Sequence, residues 1–272
     1  MDLGLRGQVA LVTGGSKGIG RQTALAFARE GAIPILVARD SVGLNSARQW
    51  ITEAVPDAEV YTVSADLSRE VHAKEAVAQS LGFKGHVDIL VNCAGAAPGR
   101  VLMDVDDELW NVALGVKFLG YMRMTKSIIP HFLAQGHGVI VNVVGNDGIK
   151  PSYWEITGTA ANAADLAVMR ALADQYGRHN IRINSVNPGP VDTGRWAQLT
   201  EAFARDLDFA INVADERAKK SMTPHRIARP EEVANVVVFL ASSRASFVHG
   251  TEIAIDGNQR KALMDRTDDG VS

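Results

Sequence analysis

Val9-Ala10-Leu11-Val12-Thr13-Gly14-Gly15-Ser16-Lys17-Gly18-Ile19-Gly20 is an apolar run that empties into a glycine-rich turn, and a helix-forming stretch, Ile19 to Glu30, opens inside that turn. Glycines at such a junction allow a tight bend and let the backbone come close to a pyrophosphate, whose charge then rests on the positive end of the helix. A glycine turn alone is weak evidence. Its place between a first strand and a first helix makes it specific.

Outward from this stretch the pattern repeats. Ile33 to Ala38, Val60 to Ser64, Val87 to Asn92, Val139 to Val144 and Ile181 to Val186 are near-continuous apolar runs, as strands are when a parallel sheet is covered on both faces. Between them lie helix-length segments, Ser68 to Leu81, Asp107 to Ala134 and Thr159 to Arg178. Gly31 stands where the first helix would be capped, Asp66-Leu67-Ser68 offers an N-cap, and Pro34 is tolerable near the start of its strand. The alternation predicts an α/β fold: a single doubly wound Rossmann-type domain over residues 1–272, with a mostly parallel sheet and helices on both faces. From about 194 to 228 the alternation is interrupted, which reads as one or two helices forming a lid-like insertion. A helix (Glu231 to Ser242) and a strand (Glu252 to Ile255) close the pattern, and the polar tail from Gln259 reads as loose.

Composition narrows the class. The 272 residues are 46% hydrophobic and 22% charged, ordinary values for a globular chain, and the formal net charge of −3 leaves no basic footprint for nucleic acid. No apolar stretch is long enough to span a membrane, and the N-terminus lacks a signal-peptide core. One cysteine, Cys93, excludes an internal disulfide, and the seven histidines show no metal-ligand spacing. There is no Gly-x-Ser-x-Gly elbow. These features predict a soluble, cytoplasmic protein without metal, acting on a small molecule rather than on nucleic acid or membrane.

The second strand ends at Val37-Ala38-Arg39-Asp40, about 20 residues past the glycines, where a ribose-selecting residue belongs. An acid at the strand's end would favour a free 2′-hydroxyl, whereas Arg39 together with Lys17 suits a 2′-phosphate. NADP is therefore favoured over NAD. In the alternative, Arg39 stacks on adenine and Asp40 holds the ribose.

Read together, these residues resemble the classical short-chain dehydrogenase/reductase family, over about residues 5 to 257. The resemblance rests on Thr13-Gly14-(x)3-Gly18-x-Gly20, on Asp66-Leu67, and on Asn92-Cys93-Ala94-Gly95, which stands for the family's Asn-Asn-Ala-Gly. Asn187-Pro188-Gly189-Pro190-Val191-Asp192-Thr193 looks like the segment that holds the nicotinamide; Arg229-Pro230-Glu231-Glu232-Val233 and Ile255-Asp256-Gly257 fit the closing helix and strand. The resemblance implies cofactor contacts from Gly14, Ser16, Lys17, Gly18, Ile19, Gly20, Arg39, Asp66, Leu67, Asn92, Ala94, Gly95, Pro188, Gly189, Val191 and Thr193. It also implies a homo-oligomer, dimer or tetramer.

The catalytic pattern departs from the family. Its chemistry rests on Asn, Ser, Tyr and Lys, the last two spaced Tyr-x-x-x-Lys. Counting back from Pro188-Gly189 puts the tyrosine position on Gly158 and the lysine position on Asn162. Counting from Gly148 puts the serine position on Gly145, and Trp110 with Val116-x-Phe118-x-Gly120 puts the asparagine position on Lys117. Glycine has no side chain to move a proton, so the usual relay is absent. Four groups are candidates to replace it. Lys117 and Asn162 look like an exchange of the usual partners, and a desolvated lysine can act as acid, base or oxyanion stabiliser. Tyr153, five residues before Gly158, has a phenol that would fit the space glycine leaves; Asp147 lies on the neighbouring turn. Each also has a plain reading: a solvated lysine, a loop aromatic, a turn aspartate, an asparagine filling a hole.

Further on, Trp196, Leu199, Phe203, Leu207, Phe209 and Ile211 offer an apolar face to close over a substrate, or ordinary packing. Arg217, Lys219, Lys220, His225, Arg226 and Arg229 form a basic cluster that would receive an anionic tail, or a solvated face with local salt bridges. Cys93 reads as packed rather than reactive. The favoured function is an NADP-dependent oxidoreductase acting on a carbonyl or hydroxyl of a bulky apolar substrate with a rebuilt site. The alternatives are a catalytically silent dinucleotide-binding subunit and a non-redox enzyme on the same scaffold.

Overall fold

The computed structural model describes residues 1–95 and 97–262. The glycine turn does what the sequence requires: β1 (Val9–Thr13) is buried along its whole length and runs through the turn into α1 (Gly18–Arg29). There follow β2 (Ile33–Ala38), α2 (Ser41–Ala54), β3 (Tyr61–Ser64), α3 (Glu70–Lys84) and β4 (Ile89–Asn92). Then come α4 (Asp107–Ala113), α5 (Leu119–Gln135), β5 (Gly138–Val143), α6 (Ile156–Tyr176) and β6 (Ile181–Pro188). The chain continues through α7 (Gly194–Asp206), α8 (Ile211–Ser221), α9 (Pro230–Ala241) and β7 (Glu252–Ile255).

The seven strands lie in the order β3-β2-β1-β4-β5-β6-β7, and every neighbouring pair is parallel. The expected "mostly parallel" sheet is thus parallel throughout. Side chains alternate across it. Val9 and Leu11 face a core with Tyr121, Met124, Leu166 and Met169, while Ala10 and Val12 face Phe27, Val233 and Val237. The strand order reverses between β1 and β4, so a crevice opens there beyond the strands' C-terminal ends.

Several local expectations are corrected. The sequence reading passed over α2, whose apolar positions Leu44, Ala47 and Ile51 are buried at helical spacing and whose N-cap is Asp40, accepting from the Val42 amide at 3.0 Å. Asp66 does not cap α3: it holds the preceding turn through the Ser68 amide (3.1 Å), and α3 starts at Glu70. The single helix expected over Asp107 to Ala134 is two helices joined by a π-helical turn, Leu114–Phe118. Such turns shift the register of one face by a residue and recur at functional sites; this one carries Lys117. The tail is not loose where it is described, for Gln259 and Lys261 are both buried. The remainder of the tail lies outside the described residues.

Candidate active site

The crevice is a cleft of about 330 Å³. Its nucleotide end is made by Gly14, Ser16, Lys17, Gly18, Ile19 and Gly20, with Ala94, Gly95, Pro188, Gly189, Val191 and Thr193 across from them. Gly14 has a φ of +69°, and a Cβ there would stand 2.9 Å from the Cys93 carbonyl oxygen. No side chain caps the N-terminus of α1, so its first amides are left for a ligand in the cleft. This donor set fits a dinucleotide pyrophosphate. Thr13 closes the junction from below: its hydroxyl accepts from the amides of Cys93 (2.9 Å) and Ala94 (3.0 Å) and donates to the Val91 carbonyl (3.3 Å).

Four residues expected at the nucleotide lie beyond this part of the cleft. Leu67 is buried, and Asn92 is a buried brace between strands, donating to Asn142 Oδ1 at 2.9 Å. Arg39 is exposed, as is Lys17 on the cleft itself. Burial would push the Asp66 carboxyl up, but the hydrogen bonds from Ser68 and the charge of Arg39 outweigh it and hold it below the usual range.

At the opposite end stand Gly145, Asp147, Glu155, Gly158 and Asn162, with Lys117 and Lys261 beside them. Asp147 sits on a short 3₁₀ turn (Asn146–Gly148) directly after β5. Its Oδ1 accepts from Asn162 Nδ2 at 2.7 Å, and Asn162 Oδ1 in turn accepts from the Gly145 amide at 3.2 Å. Its Oδ2 reaches toward Gly158: a Cβ added there would stand 2.7 Å away. A Cβ on Gly145 would meet Oδ1 of the same carboxyl. The two glycines thus flank one buried carboxyl group. Its pKa is pushed up to about 6, by burial first and by Glu155 second, against the downward pull of Lys261 and Lys117.

The turn that carries Asp147 is braced by the end of the described chain. Asn146 Nδ2 donates to Gln259 Oε1 (2.6 Å), and Lys150 Nζ donates to Asp256 Oδ2 (2.6 Å) and to the Gln259 carbonyl (3.0 Å). Lys261 pairs with Glu155 at 2.6 Å, and both line the cleft. The sequence reading placed neither in the site.

Of the four catalytic candidates, Asp147, Asn162 and Lys117 meet in this cleft. Tyr153 does not line it and is 47% exposed. Lys117 also acts on Asp165, a fully buried carboxyl on α6 whose two oxygens have no hydrogen-bond partner; burial pushes Asp165 up to about 7 despite that ammonium. Burial pushes the Cys93 thiol up to about 12, which keeps it protonated and unreactive.

Of the apolar face expected above the site, Trp196 and Leu199 line the cleft, while Phe203 is turned away and packs edge-on against Trp154 at 5.1 Å. Leu207 and Phe209 join that cluster, and Ile211 is 57% exposed. The basic cluster does not line the cleft. Lys219 pairs with Asp215 (2.6 Å), Arg226 with Glu232 (2.6 Å), and Arg217 lies over Phe209, so local pairing on a solvated face describes it. Among the described residues no cluster suits a metal ion, and no helix is long and apolar enough to cross a membrane.

Comparison with known proteins agrees with this geometry. Residues 14–257 match the family described as Enoyl-(Acyl carrier protein) reductase. A 3-oxoacyl-(acyl-carrier-protein) reductase of Thermotoga maritima is 31% identical over 253 residues, 93% of this chain and 98% of its own. An uncharacterized oxidoreductase of Bacillus subtilis is 32% identical over 267 residues, 97% of this chain and all of its own. The crystal structure of L-sorbose reductase from Gluconobacter frateurii, complexed with NADPH and L-sorbose, superimposes with a TM-score of 0.88 at 31% identity, covering 95% of this chain and 98% of that one. With its nucleotide cradle at the sheet's switch point and these relatives along nearly its whole length, the chain belongs to the short-chain dehydrogenase/reductase family of NAD(P)-dependent oxidoreductases.

Proposed function

We propose that the protein is an NADP-dependent carbonyl reductase or alcohol dehydrogenase in which Asp147 moves the proton that a tyrosine moves elsewhere in the family. One observation carries the reading: the Asp147 carboxyl occupies the hollow between Gly145 and Gly158, is buried, and is fixed by Asn162. A carboxyl with a pKa of about 6 holds a proton often enough near neutral pH to give it to a forming alkoxide, and ionises readily enough to take it back.

Gly14, Gly18, Gly20 and the first amides of α1 would hold the dinucleotide, with Pro188, Gly189, Val191 and Thr193 at its nicotinamide end. Bound there, it supplies or accepts the hydride. Asn162 fixes the rotamer of Asp147 through Oδ1, leaving Oδ2 to face the substrate oxygen. Lys117 stabilises negative charge developing on that oxygen. Trp196 and Leu199 line the cleft's apolar side and keep water from the reacting centre when α7 and α8 act as the lid.

The preference for NADP rests on Lys17 and Arg39 and on the engagement of Asp40. That carboxylate caps α2 through the Val42 amide, which draws it away from a ribose hydroxyl. NADPH in the L-sorbose reductase structure points the same way. Exposed Leu102, Met103, Val112, Leu119 and Leu133 on and around α4 and α5 support a homo-oligomer. The test is Asp147→Asn. It should bind NADPH as the wild type does and lose turnover about 10²–10⁴-fold. Undiminished turnover in that variant would sink the assignment, and a folded wild-type chain that binds neither NADPH nor NADH would sink the oxidoreductase reading.

A further inference from the structure

Arg195, in the first turn of α7, lines the cleft, and its Nη2 donates to the Ala97 carbonyl. That bond uses one of five donors. Among the described residues no carboxylate lies at ion-pair distance from its guanidinium. Burial lowers its pKa, and the more distant charges of Glu155 and Asp147 only partly offset this. A half-buried cation without a counter-ion is costly unless a ligand supplies one.

Its position is defined by Ala97. A Cβ on Gly158 would stand 3.5 Å from the Ala97 Cβ and 2.7 Å from Asp147 Oδ2. The guanidinium, held on Ala97, and the Asp147 carboxyl, held by Asn162, therefore border the same hollow from two sides. Of the other charges there, Lys261 neutralises Glu155 at 2.6 Å, and Lys117 lines the cleft as a second cation.

We infer that Arg195 binds a carboxylate carried by the substrate, so that the cleft takes an oxo acid, or in the reverse direction a hydroxy acid, whose carboxylate lies within a few bonds of the reacting carbonyl. A guanidinium fork matches a carboxylate bidentately, which both adds affinity and turns the neighbouring carbonyl toward a fixed proton donor. In reduction the carbonyl carbon gains the hydride, its oxygen gains the Asp147 proton, and the products are the hydroxy acid and the oxidised nucleotide. This substrate class rests on the oxidoreductase reading above. It replaces the basic cluster on and after α8 as the receiver of an anion, since none of those cations lines the cleft.

The experiment is calorimetric titration of the full chain, first with NADPH and then, on the NADPH-saturated protein, with malonate and with its dimethyl ester. Malonate should bind and the ester should not. Arg195→Met should weaken malonate at least tenfold while NADPH affinity stays within about twofold, and Arg195→Lys, which keeps the charge but not the fork, should fall between. Equal binding of acid and ester, no malonate binding, or malonate affinity unchanged in Arg195→Met would each overturn the inference. A parallel loss of NADPH affinity in Arg195→Met would overturn it too, by assigning the arginine to the nucleotide phosphates. Failure of the wild type to bind NADPH would instead remove the reading underneath it.

Discussion

The Asp147 carboxyl and the α-carbon of Gly158 share a space that admits only one substituent: a Cβ at position 158 would stand 2.7 Å from Asp147 Oδ2. Gly158→Ala should therefore displace the carboxyl and lower kcat/KM by about 10²-fold, the usual penalty for a misplacement near 1 Å. In an Asp147→Ala background the same change should cost nothing further. A double-mutant cycle on kcat/KM measures the coupling, and additive losses would refute it.

With Asp147 as the proposed proton carrier, its protonation is expected to set the pH dependence. With a pKa of about 6 in the free protein, kcat/KM for reduction should fall as pH rises through about 6, and kcat/KM for oxidation should rise over the same range. Lys117 and Lys261 hold that pKa down and Glu155 holds it up. Lys261→Met should then move the limb to higher pH and Glu155→Gln to lower pH. Initial rates from pH 5 to 9 decide it, and a limb unmoved by both changes would remove Asp147 from the titration.

Asp165 makes a second pH prediction, on stability. Its folded pKa of about 7 lies above the ordinary aspartate value of about 3.9. The native state therefore binds more protons than the unfolded chain between those values, and stability falls as pH rises from about 4 to about 7. The full penalty, on the order of a few kcal/mol, stands above pH 7. Asp165→Leu should raise the melting temperature at pH 8 and change it much less at pH 4. An equal shift at both pH values would mean that packing, not charge, decides.

Thr13 is the hinge of the nucleotide end. Thr13→Val removes the acceptor of two amides, those of Cys93 and Ala94, and should cost about 1–3 kcal/mol. At this chain length that corresponds to about 2–4 °C in Tm per kcal/mol. NADPH affinity should drop with it, because the loop bearing Gly95 loses its anchor. Denaturation and nucleotide titration of one preparation test both.

The sheet was legible because its signals are local: a glycine turn after a buried run, and apolar stretches at α/β spacing. The helix α2 was equally legible, in Asp40 followed by Leu44, Ala47 and Ile51, but the Arg39-Asp40 pair was read for ribose selection alone. The π turn around Lys117 was not, since a slip from i→i+4 to i→i+5 bonding leaves no mark in composition. Asp147 and Asn162 were found because the family's spacing pointed to their neighbourhood. The hollow that makes Asp147 the better candidate over Tyr153 is a matter of tertiary distance. Lys261 and Gln259 were missed for the same reason: their partners Glu155 and Asn146 lie 106 and 113 residues earlier in the chain. Asp165 did leave a signal, an acid one turn after Asn162 and one turn before the apolar Met169.

The bracing of the Asp147 turn by Gln259 and of Glu155 by Lys261 has a consequence for biosynthesis. A nascent chain halted at residue 250 already contains β1 to β6, the glycine cradle and Asp147 itself, yet it lacks the two side chains that hold the acid's turn and neutralise its neighbour. The residues that line the nucleotide end are thus all made by position 193, but Gly189 still waits for the Ile255 carbonyl that its amide bonds. The acid's turn and its neighbour wait for Gln259 and Lys261, so both ends of the cleft are finished only by the last stretch of synthesis.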